Sequence, residues 1–195
     1  MKLLNKIEMS FNEIYNRLIF IRAMRHGIVS CSAKLPTIRG RIHISNLGEL
    51  KLGGDIRINS GRNYNVIGGS ERCNLVIQRN AVMKLGNNVG ISNSTIVASK
   101  SIIIEDDVRI GGNVKIYDTD FHSVNLEERL RTTDRGICCD PIKIGEGAFI
   151  GAHSIILKGV VIGKRSVIGA GSVVTKSIPD NEIWGGNPAK FLKKL

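Results

Sequence analysis

The sequence predicts an all-β solenoid, a three-sided prism of short stacked strands, and three observations carry that expectation. First, from Ile144 to Ile178 (IGEGAFIGAHSIILKGVVIGKRSVIGAGSVVTKSI) aliphatic residues recur every six positions, at Ile144, Ile150, Ile156, Ile162, Ile168 and Val174. Second, Gly follows at 145, 151, 163 and 169, and a small or aliphatic residue stands four positions along each hexad at Ala148, Ser154, Val160, Ser166 and Ser172. Third, aromatics make up only 5% of the chain while Gly numbers 22, which suits a narrow aliphatic prism better than a globule built on large rings. A fixed short period without helical character means one flat segment per unit, and three such segments close one coil. Gly after the inward residue leaves room where a Cβ would crowd the next coil. A β-sandwich would instead alternate with period two and turn every eight to twelve residues.

The elements follow in order. Residues 3 to 25 carry apolar side chains at Leu3, Leu4, Ile7, Phe11, Ile14, Leu18, Ile21 and Met24, the spacing of an amphipathic helix. Its polar face bears Lys2, Lys6, Arg17, Arg22 and Arg25. Two roles fit: a cap on the first coil or packing against a neighbouring subunit, which a repeat stack requires, and contact with an anionic membrane surface. The expected organisation is a helical segment at 1–27, the solenoid at 28–178 and a tail at 179–195.

From Leu35 to Leu85 the repeat is worn. Ile44, Leu50 and Ile56 keep the six-residue spacing, and Ile67 and Cys73 keep it in another frame, with bends at GGD (53–55) and NSGRNYN (59–65). Leu85, Ile91 and Val97 restore the register, which then slips by one to Ile104, Ile110 and Ile116, as if one residue were inserted near Ile102 to Ile104. Between Ile116 and Ile144 the interval is 28 residues, not a multiple of six. Residues 117–141 (YDTDFHSVNLEERLRTTDRGICCDP) therefore form a loop expelled from the coil, charged and aperiodic, the kind of segment on which a rigid scaffold carries function.

Charge and cysteine content bound the partners. The chain of 195 residues carries 28 basic against 17 acidic residues, net +11, so an anionic partner is expected: a membrane surface, a phosphorylated cofactor or nucleic acid. No aromatic-and-basic nucleic-acid module is present, which argues against the last. Four Cys, at 31, 73, 138 and 139, contain no CxxC pair and no disulfide framework, consistent with a reducing cytoplasmic setting. The start MKLLNKIEMSFNEIYNRLIFIR does not read as a signal peptide, and no apolar run is long enough to span a bilayer.

The hexads, the interrupted coil with DTDFHS (Asp118 to Ser123), and the tail GAGSVVTKSIP followed by GGNPAKF together resemble the bacterial hexapeptide-repeat transferases. The resemblance covers the second half of the chain well and the first half loosely. It implies a left-handed parallel β-helix and an acyl-CoA-dependent O-acyltransferase like those that acetylate sugars of surface polysaccharides. Acetyl-CoA would be the acyl donor, and no metal is expected.

Such a reaction needs a base for the acceptor hydroxyl, donors for the oxyanion and close placement of the two reactants. Of four His, His26 and His43 have plain surface readings, and His153 lies within the regular repeat. His122 differs: it sits at the mouth of the expelled loop behind Asp118 and Asp120, and a neighbouring carboxylate fixes an imidazole's tautomer. The resemblance makes His122 the general base; Asp120 and Asp118 are both candidates to orient it, and Asp118 also to meet the substrate. The resemblance places Ala152 and Ala170 along the pantetheine arm, then Thr175 and Lys176, with Lys190 and Lys193 toward the nucleotide phosphates, and Asn93 toward the sugar. It also implies a homotrimer with each site between two subunits. A covalent route through Cys138 or Cys139 would need a base beside the thiol, and the pair is read instead as packing the loop base. Trp184 is read as covering the bottom of the prism.

Other readings are an N-acetyltransferase acting on an amino sugar, a zinc hydro-lyase on the same fold, and a non-catalytic scaffold. The second needs three converging His, and four scattered ones do not suggest it.

Overall fold

In the computed structural model the residues described are 2–32, 34–133 and 135–195, and side chains only from residue 9 onward. The expected helix positions Leu3, Leu4, Ile7, Lys2 and Lys6 thus have side chains outside the described residues, as does Asp134 of the loop. The inward hexad positions Ile144, Ile150, Ile156, Ile162, Ile168 and Val174 are buried, and so are Ala148, Ser154, Val160, Ser166 and Ser172. Each short face therefore turns two residues inward, spaced by two along the strand and by four around the corner.

Three parallel sheets stack along the axis. Face A holds Ile28–Cys31, Glu49–Leu52, Val82–Leu85, Ser101–Ile104, Ile142–Ile144 and Val161–Ile162. Face B holds Thr37–Gly40, Arg57–Ser60, Gly90–Ser92, Arg109–Gly112, Phe149–Ile150 and Val167–Ile168, extended by Glu182–Gly185 and Lys190–Lys194. Face C holds His43–Asn46, Asn74–Ile77, Thr95–Ala98, Lys115–Tyr117, Ile155–Ile156 and Val173–Val174. The chain runs A, B, C and repeats, so its corners fall in three columns: A–B, B–C and C–A.

Corner chemistry explains the composition. A Cβ on Gly145, Gly151 or Gly163 would come within 2.7, 2.5 and 2.4 Å of backbone nitrogens in the next coil, so only Gly fits there. The buried corner serines give their hydroxyls to carbonyls: Ser154 and Ser172 to Gly169 O at 3.0 and 2.6 Å, and Ser166 to Pro179 O at 2.6 Å.

Four features differ from the sequence reading. The helix α1 (Lys2–His26) does close the first coils, but through Phe20 and Ala23, which join the core, and Asn16, whose amide bonds Gly40 O and Ile42 N at 2.9 and 3.2 Å. The expected apolar stripe of Phe11, Ile14, Leu18, Ile21 and Met24 faces outward instead, each residue between 47% and 61% exposed. Ile67 is also exposed: residues 61–72 form a second outward loop, and Cys73 takes the inward slot. Val97 is not inward either; Ile96 and Ala98 are. The register slip lies at Asn93, where Ile91 to Ser94 turns the B–C corner in three steps rather than four, and face C then runs one inward position longer. Finally, the tail is a hairpin. Glu182–Gly185 continues face B and pairs antiparallel with Lys190–Lys194 across a turn containing the cis Asn187–Pro188 bond. Trp184 packs against the end of the core, its Nε1 donating to Glu182 at 2.8 Å.

Among the described residues, no helix is long and apolar enough to cross a membrane.

Candidate active site

The expelled loop leaves from the C–A corner after Tyr117 and returns at Ile142. Its neck is a short two-stranded tie. Thr119 and Cys139 form an antiparallel bridge, Asp120 N donates to Cys138 O at 3.1 Å, and Asp140 N donates to Asp118 O at 3.0 Å. The vicinal cysteines thus supply backbone to the loop base, and the Cys139 thiol donates to Thr119 Oγ1 at 3.3 Å. Farther out, Asn125 caps the one-turn helix α2 (Leu126–Arg129), accepting from the amides of Glu127 and Glu128.

Asp118 is fully buried. Its two carboxylate oxygens accept from Ser99 N, Lys100 N and Ser101 N at 2.6, 2.9 and 2.7 Å, so it ties the loop's first residue to the C–A corner one coil earlier. That corrects its expected part as an orienting or substrate-binding group: the side chain is spent on backbone. Asp120 is half-buried and pairs with Lys158 at 3.3 Å, a lysine of the next coil's C–A corner that the sequence reading did not single out. His122 is exposed on the loop two residues beyond. Phe121, between them, adopts a left-handed backbone (φ 61°) that non-glycine residues rarely take, and its ring lies 5.3 Å from that of Tyr117.

Asn93 is also fully buried, and its amide is consumed. Its Oδ1 accepts from Gly61 N at 2.7 Å and its Nδ2 donates to Asn65 O at 2.8 Å, bracing the 61–72 loop. It is not placed to meet a sugar, which corrects the second substrate assignment.

The remaining site residues fall on two edges and on the tail hairpin. Ala152 and Ala170 stack at the B–C corner, with Gly171 N donating to Ala152 O at 2.8 Å. Asn113 and His153 occupy the same column, 3.2 Å apart, and Asn113 Oδ1 is buried with no hydrogen-bond partner found for it. Thr175 and Lys176 are exposed at the C–A corner, the column of Lys158 and the His122 loop. Lys190 and Lys193 are exposed on the tail hairpin. Within one chain, face C separates the two small-residue positions from the histidine edge. Among the described residues, no three His, Cys, Asp or Glu side chains gather as metal ligands.

Residues 141–176 match the hexapeptide repeat of succinyl-transferase. Galactoside O-acetyltransferase of Escherichia coli is 36% identical over 103 residues, 53% of this chain and 49% of its own length. A hexapeptide-repeat acetyltransferase of Vibrio cholerae, solved in complex with acetyl coenzyme A, is 33% identical with a TM-score of 0.54, over 58% of this chain and 60% of that one. A maltose O-acetyltransferase from Clostridium difficile is 26% identical with a TM-score of 0.58, over 100% of this chain and 89% of that one. The first curated relatives are each matched over 66% or less of their own length.

Proposed function

We propose that the chain is a hexapeptide-repeat acetyltransferase, an acetyl-CoA-dependent O-acetyltransferase acting on a sugar hydroxyl in surface polysaccharide biosynthesis. The observation that carries the reading is the exposed imidazole of His122 on a loop whose neck is tied into the most regular part of the coil. His122 takes the hydroxyl proton as the sugar oxygen attacks the thioester carbon. The C–O bond forms, the tetrahedral oxyanion collapses with cleavage of C–S, and the departing thiolate receives the proton back from the imidazolium. Asp120, held by Lys158, supplies negative charge on the same short segment, while Asp118 positions the loop.

The acyl donor fits the B–C edge. Ala152 and Ala170 present small side chains beside which a pantetheine arm can lie. Lys176, Lys190 and Lys193 are exposed cations for its phosphates. Because that edge and the His122 edge lie across face C from each other, we assign the complete site to two subunits of a homotrimer. Four free cysteines fit a cytoplasmic setting. The outward residues Phe11, Ile14 and Leu18 of α1, with Arg22 and Arg25 on the same helix, fit contact with the inner membrane surface.

The test is thiol release from acetyl-CoA across a panel of free, nucleotide-linked and lipid-linked sugars. Transfer to a sugar hydroxyl that disappears in His122→Ala supports the reading; full activity in that variant discards His122 as the base.

A further inference from the structure

Two spaces meet at the end of the coil that α1 closes, away from His122. One is a polar pocket of about 270 Å3 whose walls include Arg41, Arg62, Arg72, Ser70 and Tyr64 and, among the described residues, no carboxylate. The other is a groove of about 1180 Å3 between α1 and residues 34–40, with Phe20, Met24, Leu35 and Ile38 in its walls. Asn12, Gly40 and Tyr64 belong to both, so the spaces adjoin.

Three guanidinium groups around one small pocket repel one another until an anion sits between them, and the planar fork of Arg matches phosphate oxygens two at a time. Arg41 is already oriented: its Nε donates to Asn12 Oδ1 at 2.8 Å, and its guanidinium lies 5.3 Å from the centre of the Tyr15 ring. The loop bearing Arg62 and Arg72 is braced by Asn93, so the cations stand on a held backbone. The adjoining groove leaves Met24 and Leu35 50% and 43% exposed, apolar surface that an apolar chain would cover. A nucleotide would use the pocket and leave the groove bare; an anion carrying a hydrocarbon tail uses both.

We propose that this end of the molecule binds a lipid-linked diphosphate, its diphosphate held by Arg41, Arg62 and Arg72 and its hydrocarbon chain lying in the groove along α1. The proposal deepens the acyl-transfer reading and rests on it in taking this lipid as the carrier of the acceptor sugar. The 61–72 loop lies on the B–C column, with Asn93, Asn113 and Ala152 following it coil by coil toward the expected thioester track.

Calorimetric titration of the intact protein, without acetyl-CoA, tests this with farnesyl diphosphate, inorganic pyrophosphate and uridine diphosphate as probes. Farnesyl diphosphate is expected to bind at least about tenfold more tightly than the other two. Arg62→Ala/Arg72→Ala, on an exposed loop, should weaken both farnesyl diphosphate and pyrophosphate about tenfold or more at unchanged melting temperature. Leu35→Ser/Met24→Ser should weaken farnesyl diphosphate alone, and saturating coenzyme A should displace none of it. Uridine diphosphate binding as tightly as farnesyl diphosphate, binding intact in the arginine double variant, or displacement by coenzyme A overturns the proposal. Transfer to a neutral soluble sugar is read separately. If no sugar is acetylated while farnesyl diphosphate binds as stated, the acyl-transfer reading fails and the lipid site stands. If transfer proceeds and no diphosphate binds, the reverse holds.

Discussion

Asp118 and His122 stand four positions apart, yet their substitutions should fail in opposite ways. Replacing Asp118 by Ala removes a buried carboxylate and strips three partly buried backbone amides of their acceptor, a loss of about 3 kcal/mol that denaturant unfolding will show. Replacing His122 by Ala at an exposed position should leave unfolding unchanged and lower acetyl transfer about 10^2 to 10^4-fold in steady-state assays. Cysteines separate in the same manner. Burial pushes the Cys73 thiol up to about 12, so near pH 8 it carries almost no reactive thiolate, whereas Cys138 is exposed. A thiol reagent at that pH should label Cys138 in the native protein and Cys73 only after unfolding; native labelling of Cys73 would show that the coil opens far more readily than its packing implies.

At the scale of elements, the A–B corner is held by carboxylates that must stay ionised. Asp106 accepts from Asn87 Nδ2 at 3.0 Å and Asn87 N at 2.8 Å, which holds it below the ordinary carboxylate value. Glu105 is lowered by Lys143 at 2.8 Å, with help from Glu146 N. A value lower in the folded than in the unfolded state gives stabilisation that is complete above the unfolded value and lost as pH falls through the folded one. The stability difference between the native chain and Glu105→Gln/Asp106→Ala should therefore hold steady from neutral pH down to about 5 and shrink below about pH 4 in denaturant titrations. For α1, Phe20→Ala should cost about 3 to 5 kcal/mol, while Leu18→Ser should stay within about 0.5 kcal/mol. That contrast marks what could be read from residue order. A hexad register names its own inward face, because every coil repeats the same geometry, and Ile144 to Val174 are buried as read. A helix with apolar residues on two faces does not say which one docks, and here the polar Asn16 and the neighbouring Phe20 won because the first coil offers Gly40 O and Ile42 N to be satisfied. Asn93 and Asp118 were misread for a related reason: a polar residue beside a corner looks the same in sequence whether it faces a ligand or a neighbouring backbone. The role of Lys158 depended on the loop's return path, which spacing does not encode.

Over the whole molecule, the separation of edges decides how many chains build one site. His122, Thr175 and Lys176 belong to the C–A column and Ala152 and Ala170 to the B–C column, with face C between them in each chain. A single chain holds its histidine and its small-residue track one face apart. In the proposed homotrimer, the threefold axis would set the C–A edge of one subunit against the B–C edge of the next. Two variants test this directly: His122→Ala removes the proposed base, and Ala170→Trp fills the proposed track at an exposed corner. Each alone should be inactive. Unfolding and refolding them together in equal amounts should restore about a quarter of native activity, because in random mixed trimers that share of interfaces pairs an intact histidine edge with an intact alanine edge. A site contained in one chain predicts no recovery, since every chain in the mixture is broken at one position.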